Sequence, residues 1–246
     1  MSTSVLDGLV LAETPNRKDH IMLSQDLHQD QTGTSPQLRL ALIAGAVAGP
    51  LYVGIGTLEA VLRDGFDIRI HSLSLLANGS GGWIHSMMMV VSGLLAAIGA
   101  FGVSTVQQRA GRRSYAMIAG LVIYGLGIAT AGLLRADPAE GFPIGTPSGP
   151  PLVVTASGIG HLVAGGIGFL GLILACLACA RRSARAGDRS WAVSSAVIGV
   201  YYLVAFAGIA SGAGNPVINL AFTVAAALGW GWLTALCIRA PKGRVC

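Results

Sequence analysis

Six uninterrupted apolar runs, each long enough to cross a bilayer as a helix, constrain this chain more than any other feature. They cover approximately residues 38–62, 83–106, 115–134, 159–180, 191–213 and 217–238. A hydrocarbon core about 30 Å thick needs roughly 20 apolar residues of helix. Glu59 is the only acidic residue in any run, and Arg39 stands at the start of the first. The runs are continuous rather than alternating, which disfavours membrane strands. Only 11% of the chain is charged, against about 25% in soluble domains. These features exclude a disordered chain, a collagen-like repeat and a small disulfide scaffold. The expected fold is all-α, a polytopic bundle of six transmembrane helices over residues 37–238. A polar tail, 1–36, precedes it and is expected to be disordered; a short basic tail, 239–246, follows.

Basic residues set the orientation. Ten lie in the loops after the second and fourth runs and in the C-terminal tail: Arg109, Arg112, Arg113, Arg181, Arg182, Arg185, Arg189, Arg239, Lys242 and Arg244. The opposite loops hold three, Arg63, Arg69 and Arg135. Both termini are therefore expected in the cytoplasm of a cell membrane, with the long loops 63–82 and 135–158 facing outward. The net charge of +5 follows from these orientation signals. No aromatic-interleaved basic stripe is present, so a nucleic-acid partner is not expected. Membrane lipid is the expected surrounding.

Ser114, Ser190 and Asn215-Pro216 read as helix starts, and Pro50 as a kink. Gly45-x-x-x-Gly49 and Gly208-x-x-x-Gly212 read as close-approach faces. Cys176, Cys179, Cys237 and Cys246 fall on the reducing side and are expected to be free thiols. Asn78-Gly79-Ser80 matches a glycosylation sequon.

Polar side chains inside a bilayer are costly and mark sites or structural anchors. They gather at the outer end: Glu59 near the end of the first run, His85, His161 and Asn219 in the first turns of the second, fourth and sixth, and Asp67, His71, Asp137 and Glu140 in the loops. Glu59, His85, His161 and Asp137 are the catalytic candidates, since a histidine beside a carboxylate can act as a general base. Asp67, His71 and Asn219 are the substrate-binding candidates. His85 and His161, at one depth, also fit axial haem ligation, and a cofactor or metal is left open. An alternative for Glu59 is an i,i+4 ion pair with Arg63. The functional readings are an outward-opening site that binds or transforms an apolar or lipid-like small molecule, a transporter, or a non-catalytic membrane scaffold. Beyond Arg39 at the start of the first, the inner halves of the runs offer only hydroxyls and thiols, which disfavours a continuous transport path.

The first outer loop reads Arg63-Asp64-Gly65-Phe66-Asp67, then His71 through Gly79, then Gly81-Gly82-Trp83. The second reads Asp137-Pro138, then Gly141-Phe142-Pro143, followed by His161. Together they resemble the bacterial membrane family known as domain of unknown function 998, over about residues 38–238. That resemblance implies a six-helix bundle and carries no activity. The starts Trp83-Ile84-His85, Ile159-Gly160-His161 and Val217-Ile218-Asn219 also resemble one another, as expected if the bundle consists of three related helix hairpins.

Overall fold

The computed structural model describes residues 35–212, 215–242 and 246. The expectation for the N-terminal tail lies outside these. Six helices run through the described residues: α1 Pro36–Leu62, α2 Gly82–Arg109, α3 Tyr115–Leu133, α4 Ala156–Arg185, α5 Arg189–Ala210 and α6 Pro216–Arg239. Each is long and apolar enough to span a membrane. No strand occurs among the described residues.

Large apolar side chains cover the outer surface of the bundle as well as filling its core. Large apolar residues such as Leu40, Ile98, Phe101, Ile167 and Val204 face outward, while Ala48, Ala100, Ala175 and Ala225 are fully buried. A hydrocarbon solvent accepts the large side chains, and small ones let backbones approach. Consecutive helices pack as neighbours from α2 to α6. α1 joins the bundle between α2 and α6: a Cβ on Gly45 would strike Gly99 and Cys237, and Thr234 Oγ1 donates to Ala46 O at 3.0 Å. The expected close approach at Gly45 and Gly49 is therefore present. Of the second pair, Gly208 lies close to α6, where its Cβ would be 3.1 Å from Ile218 Cγ2, whereas Gly212, two residues beyond α5, has φ +71° and open space around it. α1 is one helix across Pro50.

Helix starts follow local chemistry. Thr155, Asp188 and Asn215 accept from Gly158, Trp191 and Ile218 amides respectively. Asp188, rather than the expected Ser190, caps α5, and its second oxygen also takes Arg239 Nη2 at 2.6 Å. A carboxylate that can satisfy both groups at once displaces the start by two residues. Ser114 begins α3, but its side chain makes no capping bond; its amide donates instead to Gln107 Oε1 at 2.9 Å.

The expectation of four free thiols is corrected. Cys176 and Cys237 are free and buried, whereas Cys179 and Cys246 form a disulfide. Cys246 lies buried at the end of the bundle opposite the long loops, where Gln107 Nε2 donates to its carbonyl at 2.7 Å. Spacing along the chain carried no signal for a contact made by folding back.

At the outer end, part of each long loop is packed, while Ile144 and Leu152, Val153 and Val154 of the second are exposed. Residues Leu73–Ala77 form a 3₁₀ turn, with Leu75, Leu76 and Ala77 buried. Phe142 of the second loop is 1% exposed and packs edge-on against Phe66. The first loop thus packs down over the bundle mouth instead of lying along the interface.

Candidate functional site

Arg63, one residue beyond α1, organises the outer cap. Its guanidinium donates to Leu76 O (3.2 Å) and Asn78 O, lies over the Phe142 ring, and is 3.9 Å from Glu59 Oε1. Asn78 itself is buried and donates to Ala136 O at 3.0 Å. The sequon asparagine is thereby a clasp between the two loops.

His71 is a second clasp. The Asp67 amide donates to Nδ1 at 2.8 Å, and Nε2–H donates to Glu140 O at 2.9 Å. Both ring nitrogens are occupied, which fixes the neutral Nε2–H tautomer. Asn219 of α6 donates to Ile68 O (2.8 Å) and His71 O (3.0 Å), holding the first loop against the last helix. Asp67 pairs with Arg69, whose hydrogen bonds draw its carboxyl down to about 2. Asp137 accepts from Thr155 N (3.0 Å) and Oγ1 (2.6 Å), and Thr155 Oγ1 accepts from Gly158 N. Those two donors hold the Asp137 carboxyl below the usual carboxylate range.

The Asp137 relay makes a pH prediction. A carboxyl with a lowered folded pKa stabilises the fold above its unfolded value and loses that contribution as pH falls through the folded one. The thermal-stability gap between wild type and Asp137→Ala is expected to be constant from about pH 5 to 8 and to close only in acid. A gap that closes near neutrality would contradict the capping geometry.

Glu59 and His85 meet. His85 Nδ1 is 2.8 Å from Glu59 Oε2, and the residues are 0% and 7% exposed. Glu59 is thus shared between His85 and, more distantly, Arg63. His85 Nε2 has no partner. His161 does not join them. Its Nδ1–H donates to Ala131 O (2.8 Å) and Leu134 O (2.9 Å). A carbonyl can only accept, so Nδ1 carries the proton and Nε2 of the neutral ring keeps its lone pair. His85 and His161 thus both reach back to the end of the preceding helix, as related hairpins would. Asn219 departs from that pattern by reaching to the first loop.

Two adjacent cavities lie beneath and beside the cap. The outer one, about 450 Å³, is a vestibule bounded by Asp137, Glu140, Asn215 and Asn219 together with Ile70 and Pro151. The inner one, about 130 Å³, is a chamber between the helices. Ser72, Ser74, Leu162 and Ile209 line both. Seven of the chamber's twenty lining residues are aromatic, in a chain that is 6% aromatic. Trp230 forms its floor, stacked on Tyr52 (4.8 Å) and tilted on Tyr124 (4.9 Å). Phe169 meets Phe206, Phe222 and Tyr202 at 5.2–5.6 Å on another side. The Tyr124 and Tyr202 hydroxyls have no protein partner. Of the sequence candidates, His161 lines the chamber, and Asp137 and Asn219 line the vestibule. Glu59, His85, Asp67 and His71 line neither. The chamber is smaller than a haem and His85 does not border it, so the two histidines do not face each other across a haem site. Among the described residues, no three His, Cys, Asp or Glu side chains group closely enough to hold a metal.

The aromatic lining was missed from the sequence because it comes from five helices. A signal existed in helical spacing: His161, Gly165 and Phe169, then Tyr202 and Phe206, then Phe222, Ala226 and Trp230 each recur at four residues.

Six helices long and apolar enough to span a bilayer, with large aliphatic side chains exposed along them, define a multi-pass membrane protein. The family described as "Protein of unknown function (DUF998)" matches residues 46–239. The chain belongs to that family. No curated protein and no solved structure matches it.

Proposed function

We propose that the chain is a multi-pass protein of the plasma membrane, with both termini cytoplasmic, whose outward-opening vestibule and chamber bind a small and largely apolar molecule. The observation that carries this reading is the chamber. An apolar cavity near 150 Å³ is enough to hold a molecule the size of benzene. Two buried phenols without protein partners argue for a partner supplied from outside the chain. Leu162 is 70% exposed on the lipid-facing side and lines both cavities, which supports entry from the bilayer as well as from outside. The ten-to-three distribution of basic residues supports the orientation.

The roles divide accordingly. His161, neutral and with Nε2 unengaged, is the residue placed to hydrogen-bond a ligand or take its proton. Asp137 and Asn219 shape the vestibule. Glu59, His85, Asp67 and His71 hold the cap and its supporting helices. The stacked floor of Tyr52, Tyr124 and Trp230 favours binding or transformation over passage through the bundle.

Saturation-transfer NMR with cyclohexanol, on protein in a maltoside detergent, tests the reading. Wild type is expected to give a signal that Gly166→Phe abolishes. A Cβ at Gly166 meets only Phe206, at 3.5 Å, so the added ring has the chamber to fill. Equal signals from both proteins would place the binding elsewhere.

A further inference from the structure

The charge and ring pattern along the two cavities points to the chemical class of the ligand, an inference that rests on the chamber being a binding site. We propose that the chamber takes a small organic ammonium ion. Among the described residues, no lysine or arginine lines either cavity. The charged side chains on the path are Asp137 and Glu140, both in the vestibule. The Thr155 hydrogen bonds keep Asp137 ionised. A cation approaching this mouth is attracted and an anion repelled.

Beyond the mouth the formal charge disappears and rings take over. A carboxylate in the chamber would attract any cation, including a hydrated metal ion. Ring faces attract those cations that can shed water cheaply, and substituted ammonium ions are of that kind. Phe169, Phe206 and Phe222 on one side, and Tyr52 and Trp230 on the other, come from α1, α4, α5 and α6. The ligand is thus enclosed by ring surfaces from several directions. A chamber of about 130 Å³ suits a head group with three or four carbon substituents. His161 Nε2, an acceptor, can take a hydroxyl proton from such a ligand. The Tyr124 and Tyr202 hydroxyls, buried and without partners, can donate to an oxygen on it. Neither arrangement requires a full charge from the protein within the chamber.

The test compares two molecules of the same shape: choline, and its neutral carbon analogue 3,3-dimethylbutan-1-ol. Binding of each to the full chain in a maltoside detergent is measured by isothermal titration calorimetry. Choline is expected to bind roughly tenfold more tightly than the alcohol. Phe206→Leu keeps the chamber apolar but removes one ring face, and is expected to weaken choline several-fold more than it weakens the alcohol. If the alcohol binds as well as choline, or better, the ammonium assignment is overturned while the chamber remains a binding site. If Phe206→Leu weakens both equally, the ring contribution is overturned. If neither molecule binds, the reading of the chamber as a ligand site fails with it.

Discussion

Glu59→Ala is expected to destabilise the protein by about 3 kcal/mol, the upper end of the cost of leaving a buried donor without its charged acceptor. Glu59 accepts the 2.8 Å hydrogen bond from His85 Nδ1, and His85 is wholly buried. Without the carboxylate, Nδ1 joins Nε2 as a second unpartnered buried ring atom. Arg63, 3.9 Å from Glu59, loses that counter-ion and with it some of its hold on the cap. Glu59→Gln keeps an oxygen acceptor and is expected to cost less, about 1–2 kcal/mol. Replacing the pair together, by Glu59→Leu with His85→Leu, is expected to recover most of the loss, since it strands neither partner. Unfolding in detergent of Glu59→Leu, His85→Leu and the double variant measures the coupling. Additive effects would mean that the carboxylate and imidazole act independently, contrary to their geometry. The same series separates support from catalysis: a supporting pair loses stability and activity together, while a catalytic pair loses activity in Glu59→Gln with stability nearly intact.

The six spans were legible because each is a contiguous run. Hydrocarbon solvent imposes its requirement locally, so the boundaries of α1 to α6 follow from where polar residues resume. The polar outer residues were legible for a related reason, since a costly group in an apolar run is conspicuous. Their partners were not. Glu59 reads equally well as the i,i+4 mate of Arg63, and His85 lies 26 residues away. Only the antiparallel pairing of α1 with α2 decides that Glu59 is nearer the imidazole than the guanidinium. Likewise His71 and Asn219 read as ligand-binding groups and Asn78 as part of a sequon, yet each hydrogen-bonds to loop backbone. A loop folded over an apolar mouth has many carbonyls and amides to satisfy, and side chains from distant elements do it. The chamber was the least legible feature. Its rings are ordinary apolar residues in apolar runs, and what makes them a site is the space left between helices.

Gly125→Val is expected to prevent assembly of the bundle, the largest effect of any single substitution considered. Gly125 of α3 faces Gly93 of α2 across a contact in which each glycine's missing side chain is occupied by the other helix's backbone. A Cβ at Gly125 would lie 2.6 Å from Gly93 O and 2.7 Å from Ala97 N, while one at Gly93 would strike Gly125 O. Backbone cannot rotate aside as a side chain can, so the helices must separate along their length. Overpacking against side chains costs about 1–3 kcal/mol; forcing two backbones apart also removes the contacts of every residue along that seam. α3 makes the same kind of contact on its other face, where Gly120 meets Gly171 and Gly127 meets Gly168, so displacing α3 disturbs α4 as well. In hydrocarbon, moreover, no hydrophobic force draws the separated helices back together, and close packing is what holds them. Gly54→Ala is the matched control. Nothing lies within 4 Å of its added Cβ, and exchanging glycine for alanine within a helix is expected to stabilise by about 0.5–1 kcal/mol. Size-exclusion profiles of the two variants, expressed side by side in a maltoside detergent, read the difference. A monodisperse Gly125→Val protein with wild-type unfolding behaviour would mean that α2 and α3 do not meet at this seam.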